Sequence, residues 1–306
     1  MPRWFNTGGV CNPGDHYMLP PMRRLPEVRR VIDQKGYFVL HAPRQIGKTT
    51  ALLSLARELT AEGRYAAVLV SMITGADFTS DPGVAELAIL DAWRRKALSQ
   101  LPADLQPPPW PAAPPGARIG AALQAWAGAS PRPLVVFLDE IDSLRDEVLI
   151  SVLRQLQEGY IDRPQGFPWS LAIIGLRDVR DYRIALSDEE RAGTPSPFNI
   201  MVRSFTLRDF TRDEVAELYQ QHTDDTGQRF DAGAVDRAFE LTQGQPWLVN
   251  AIARELVETV VPEITRSVTV ADVDAAKEIL IARRDVHIDS LADRLRDPRV
   301  RRSSSR

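Results

Sequence analysis

The amino-acid sequence predicts an α/β protein with a parallel sheet, followed by a smaller all-helical domain. Three observations predict it. Four short runs are almost continuously apolar: residues 37–41 (YFVLH), 66–72 (AAVLVSM), 134–138 (LVVFL) and 171–175 (LAIIG). Strands of that kind belong to a parallel sheet covered on both faces. These runs alternate with helical patterns, which is the signature of strand–helix–strand units. After Phe205 the chain turns helical only.

Taken in order, the strand at 37–41 leads through a Gly-containing loop into a helix over 48–62. The run at 66–72 precedes a helix over 84–100. Residues 102–116 (PADLQPPPWPAAPPG) then hold seven of the 23 prolines. Proline lacks a backbone donor and is excluded from helix interiors, so this is a stiff, extended insertion. It reads as a surface span, the alternative being a partner-docking segment around Trp110. A helix over 118–128, the strand at 134–138, a helix over 147–160 and the strand at 171–175 follow, and 201–207 (MVRSFTL) supplies a fifth strand. Thr211 and Glu214 form a capping box that opens a helix over 212–222. Helices over 232–242 and 246–260 come next, and Thr269 caps a last one from 270 to about 284. The expected organisation is an N-terminal segment 1–30, an α/β domain 31–208, a helical domain 209–285 and a basic end 286–306.

Composition narrows the function classes. The 306 residues (34.2 kDa) suit about two domains, and 44% hydrophobic with 26% charged residues is ordinary for a globular chain. A single cysteine, Cys11, excludes an internal disulfide framework and a Cys-cluster zinc site. The four histidines, His16, His41, His222 and His287, are too far apart in sequence for a His-based metal site. A net charge of −3 gives no global basic footprint for nucleic acid. No apolar run approaches the ~18 residues of a membrane span. Residues 1–9 lack the apolar stretch of a secretory signal. The expectation is a soluble, cytoplasmic protein.

The most specific motif is His41-Ala42-Pro43-Arg44-Gln45-Ile46-Gly47-Lys48-Thr49-Thr50, between a strand and a helix. That context suits a phosphate-binding loop. Successive backbone N–H groups and the positive end of the next helix wrap an anionic phosphate. Gly47 admits close backbone approach, Lys48 reaches the terminal phosphates, and Thr49 offers a hydroxyl to Mg²⁺. Ala42 stands where the usual pattern has glycine, which matters if that position needs positive φ.

A second site matches the first. The apolar strand ending Leu138-Asp139-Glu140 puts two acids at a strand's C-terminal end, where ligands of open α/β sheets gather. Asp139 is the expected carboxylate support for the metal held by Thr49. Glu140 is the expected general base for an attacking water. Asp142 either caps the next segment or orients Glu140. Arg177, just past the fourth strand, is placed to sense a γ-phosphate with its fork of donors, the alternative being a plain surface arginine.

These motifs make the chain resemble an AAA+/STAND-type P-loop ATPase, of the bacterial AAA-like and archaeal-type group related to the Orc/Cdc6 proteins. Residues 42–50 correspond to Walker A, 134–140 to Walker B, and 175–178 to a sensor region. Gly244-Gln245-Pro246 resembles the GxP motif of STAND ATPases, which implies that Pro246 lies near the nucleotide. The place of the usual sensor-2 arginine is taken by Trp247, with Arg254 two turns on as a possible substitute. Asn6-Thr7-Gly8-Gly9 and His16-Tyr17-Met18-Leu19-Pro20-Pro21 resemble the segment that encloses the adenine, with Tyr17 as the contact; the alternative is a hydrophobic lid fixed by packing. The implied fold is a three-layer αβα ASCE sheet of order 5-1-4-3-2 with a helical lid.

The implied activity is slow, Mg²⁺-dependent hydrolysis of ATP to ADP and phosphate, used as a conformational switch. The alternatives are a nucleotide-dependent scaffold with negligible turnover, and a DNA-associated Orc/Cdc6-like or transposition-type regulator. ATP, an unidentified protein partner and oligomerisation on nucleotide binding are the expected associations, with no membrane. The acidic balance and the lack of a winged-helix pattern after the lid rank DNA lower. A small-molecule kinase ranks lower still, because no acceptor-binding motif is visible. Arg163, Arg180, Arg183 and Arg191 all remain open as an arginine finger. From Arg283 to Arg306, eight arginines against four aspartates give +4. That segment reads as a solubilising tail, with phosphate contact as the alternative.

Overall fold

The computed structural model describes residues 3–176 and 200–283. The chain divides into two compact units: Pro21–Arg208, and Met1–Pro20 together with the chain from Asp209 onward. The N-terminal stretch is thus shared between them.

The first unit holds five strands: β1 (Tyr37–His41), β2 (Ala66–Ser71), β3 (Leu134–Asp139), β4 (Ser170–Gly175) and β5 (Met201–Thr206). All pairings are parallel, in the order β2-β3-β4-β1-β5. This is the expected order 5-1-4-3-2 read from the other edge. The helices are α1 (Val28–Asp33), α2 (Lys48–Ala61), α3 (Pro82–Gln100), α4 (Arg118–Ala129) and α5 (Asp146–Gly159). Alternate strand residues face opposite sides. Val39, Val68, Val136 and Ile173 pack with Trp93 of α3, Trp126 of α4 and Val152 of α5. Phe38, Leu69, Phe137 and Ile174 pack with Val28 of α1 and Leu52 and Leu55 of α2. Two apolar faces on one sheet give the three layers.

The outer edge of β2 is covered by side chains. Thr60 Oγ1 bonds both backbone groups of Ala67, the Gln100 amide bonds both of Leu69, and Trp93 Nε1 donates to the Ser71 carbonyl. An edge satisfied this way is not a template for another strand. The proline-rich insertion is a strap laid over α3 and α4. Trp126 Nε1 donates to Leu105 O and Trp110 Nε1 to Leu90 O, while the Arg94 guanidinium stacks on Trp110 and donates to Pro108 O. Trp110 is therefore a half-buried anchor packed against the core, as a surface span requires.

The second unit contains α6 (Arg212–Thr226), α7 (Ala232–Thr242), α8 (Pro246–Glu255), a π turn (Leu256–Val260) that continues α8, and α9 (Val270–Ala282). The capping boxes at Thr211/Glu214 and Thr269/Asp272 both form. Helix α6 runs a turn past the expected end at 222, stopping at Gly227 in the left-handed region. Phe5, Tyr17 and Leu19 pack with Val215, Leu218, Tyr219 and Ile252. Among the described residues no helix is long and apolar enough to cross a membrane.

Candidate phosphate and metal site

The loop at 42–47 turns the chain from β1 into the N-terminus of α2. Two residues take the left-handed conformation that lets it close: Gln45 (φ 62°) and Gly47 (φ 92°), the latter as N-cap of α2. Ala42 lies outside that region, 1% exposed, with its N–H on the Gly175 carbonyl of β4 at 3.3 Å. The position therefore needs a small residue rather than positive φ, and alanine suffices. Pro43, Arg44, Gln45 and Ile46 form the body of the loop, and Lys48, Thr49 and Thr50 the first turn of α2. The Lys48 ammonium reaches back across the loop to Ala42 O (2.6 Å) and Pro43 O (2.8 Å). A positive side chain and the positive helix end thus share one concave turn.

Asp139 ends β3 and is 6% exposed. Its Oδ2 accepts from Thr49 Oγ1 at 2.6 Å, and its Oδ1 from the Glu140 N–H at 2.9 Å. Burial holds this carboxyl above the usual carboxylate range, opposed in part by the Thr49 hydroxyl. A hydroxyl and a carboxylate in contact are hard oxygen donors of the kind Mg²⁺ takes, and a nearby cation favours the ionised form that burial penalises. The residues fit the metal.

Glu140 occupies the left-handed region (φ 60°), uncommon outside glycine. Its exposed carboxylate accepts from Ser71 Oγ at 2.6 Å. Ser71 ends β2 and lies directly across from Asp139 in the sheet. Sequence reasoning missed it; the available signal was a polar residue closing an apolar strand. Asp142 sits in the 3-10 turn Ile141–Ser143 that follows.

Other expected residues fall elsewhere. Arg177, Arg180, Arg183, Arg191 and the chain from Arg284 lie outside the described residues. Arg163 stacks on Tyr160 and Tyr37, close to the N-terminal end of β1, and donates to Tyr160 O, so its guanidinium is already engaged. Tyr17 is corrected to a core residue. It is 1% exposed, with Phe5 and the Arg3 guanidinium against its ring and its hydroxyl on His222 Nδ1, and burial raises its pKa to about 12. His222 Nε2 faces Gln228 Oε1 at 2.9 Å, and burial holds the imidazole below its ordinary pKa.

Pro246 is the first residue of α8, in the second unit. The preceding Gly244 has φ +75°, and a Cβ there would lie 1.9 Å from the Phe210 carbonyl oxygen. Trp247 Nε1 donates to Thr7 O. Arg254 pairs with Glu258 and donates to Thr7 Oγ1, so it is engaged within its own unit.

No known family profile matches the sequence, and no curated protein matches it. Solved structures do. A Walker-type ATPase of Pyrococcus abyssi is similar with TM-score 0.62 at 13% identity, over 96% of this chain and 80% of that one. A RuvB mutant of Thermotoga maritima is similar with TM-score 0.51 at 15% identity, over 86% of this chain and 70% of that one. The ORC2 protein of Aeropyrum pernix, in ADPNP–ADP complexes, is similar with TM-score 0.51 at 17% identity, over 83% and 65%. The chain has the fold of the AAA+ P-loop ATPases. The loop before α2 and the acids at the end of β3 both lie at the carboxyl ends of parallel strands, where open α/β sheets gather ligands.

Proposed function

We propose that this chain binds ATP and hydrolyses it slowly to ADP and phosphate, with Mg²⁺, as a nucleotide-driven conformational switch. The carrying observation is the 2.6 Å bond from Thr49 to Asp139, which joins the phosphate loop to the acid strand beside Glu140. The backbone N–H groups of the loop and Lys48 bind the phosphates. Thr49 and Asp139 would hold the metal, which when bound neutralises charge on the phosphate oxygens. Glu140 takes the proton of the attacking water, so that the hydroxyl attacks the terminal phosphorus as the bond to ADP breaks. The Ser71 hydroxyl occupies one Glu140 oxygen, a bond that competes with the attacking water for the carboxylate, which accords with slow turnover.

The same Ser71 bond favours, as a second reading, a scaffold that keeps its nucleotide with negligible turnover. A protein partner, assembly on nucleotide binding and a cytoplasmic setting belong to the proposal too. Glu140→Gln tests it: ATP should stay bound while phosphate release falls ~100-fold or more. Phosphate release at the wild-type rate removes Glu140 from the base role. No release from wild type in a single turnover selects the scaffold.

A further inference from the structure

The backbone passes between the two units twice, at 20–21 and at 208–209. The first crossing leads at once into the 3-10 turn Pro21–Arg24. From that turn Arg24 Nη1 donates to two carbonyls, Ile46 O in the phosphate loop and Arg208 O at the second crossing, each at 3.0 Å. Its Nη2 lies where a Cβ on Gly47 would meet it at 3.3 Å, so the guanidinium rests against the loop's closing turn. One side chain therefore joins both crossings to the residues of the cradle.

The bond to Ile46 has a stereochemical consequence. In a planar trans peptide the C=O and the next N–H point in opposite directions. Holding the Ile46 carbonyl outward on Arg24 turns the Gly47 N–H to the opposite face of the loop. Gly47 has no Cβ to resist peptide rotation, so without that anchor this peptide is the freest in the loop.

We propose that Arg24 is a positioning residue: it sets the Ile46–Gly47 peptide for phosphate binding and ties that setting to the chain at Arg208. This rests on reading 42–50 as a phosphate cradle. Occupancy of the loop then changes the stability of the 206–212 segment, which leads into the helical unit. The nucleotide state reaches that segment through one guanidinium rather than through general tightening of the fold.

The test is hydrogen–deuterium exchange on the full chain, without nucleotide and with saturating Mg·ADP, for wild type, Arg24→Ala and Arg24→Lys, together with ADP affinity by titration. Without nucleotide, Arg24→Ala should speed exchange in both 43–50 and 206–212, leaving α4 and α9 unchanged. ADP affinity should fall about tenfold, about the net worth of the one lost bond that presets the Ile46–Gly47 peptide. With ADP, wild type should gain protection in 206–212 and Arg24→Ala should not. Arg24→Lys, which keeps the charge on a flexible stem, should recover part of each effect. It carries the same comparison should Arg24→Ala fail to fold. Faster exchange in only one of the two segments, ADP affinity within about twofold of wild type, or ADP protection of 206–212 surviving in Arg24→Ala overturns the proposal. Failure of the cradle reading looks different: wild type and Lys48→Ala then both ignore ADP, while the nucleotide-free exchange still decides whether Arg24 ties the two segments.

Discussion

Replacing Asp139 by Asn should stabilise the protein without nucleotide and weaken it relative to wild type with nucleotide. Asn keeps an acceptor for the Glu140 N–H, now 2.9 Å from Oδ1, and its amide can donate to Thr49 Oγ1 in place of the bond received at 2.6 Å. Both hydrogen bonds thus survive, each weaker by about 1 kcal/mol for loss of the charge. Against that, a carboxylate only 6% exposed no longer has to be taken out of water, which costs several kcal/mol per ion even after relaxation. The balance favours Asn by ~1 kcal/mol or somewhat more, or ~2–4 °C in the melting temperature of a unit this size. Saturating Mg²⁺ and nucleotide at about 100 times Kd stabilises wild type by ~2.7 kcal/mol. Asp139→Asn, lacking the metal's carboxylate, gains little of this. Calorimetry in both conditions should therefore show the two melting curves exchange order. An Asn variant that melts below wild type without nucleotide would refute the buried-charge argument; equal gains with Mg·ADP would refute the metal assignment.

Three further outcomes follow from the geometry. Gly244→Ala should cost about 3 kcal/mol or more, from left-handed strain, loss of the Phe210 N–H bond and collision with a carbonyl only 1.9 Å from the new Cβ; a denaturant midpoint near wild type would contradict it. Burial lowers the native pKa of His222, so the unfolded chain takes up its proton first as pH falls. Its stabilising contribution is complete above about pH 6.5 and is lost as pH drops towards the lowered native value. His222→Gln should remove that acid limb, and parallel melting-temperature profiles from pH 7 to 5 would argue against it. Gln100→Leu leaves both backbone groups of Leu69 without their partner, which should cost about 1–2 kcal/mol and raise concentration-dependent light scattering through an opened β2 edge.

Much of this architecture was legible because β1 to β4 are buried on both faces and so write themselves as apolar runs. Strand β3 differs only in extending through Asp139, and α3 begins two residues early because Asp81 caps it and Pro82 fits its first turn. The loop before α2 and the acid pair were legible because their chemistry is local in sequence. What was not legible depends on distant pairing. Ser71 meets Glu140 only because β2 lies beside β3, and Arg24 meets Ile46 and Arg208 only through the folded chain. Tyr17 misled because an aromatic ahead of the first strand suits an adenine contact and a core equally well. The partners Phe5, Arg3 and His222 decide for the core, and none is readable from its neighbours in sequence.

The central claim is that residues 42–50 bind nucleotide phosphate. It is tested most directly by titrating purified wild type and Lys48→Ala with a fluorescent ADP analogue in Mg²⁺, after any nucleotide carried through purification has been released by denaturation and identified. The account predicts saturable binding at one site per chain in wild type, and at least about a hundredfold weaker binding once Lys48 no longer completes the cradle. Equal affinities for the two proteins, or no saturable binding by wild type, would contradict it.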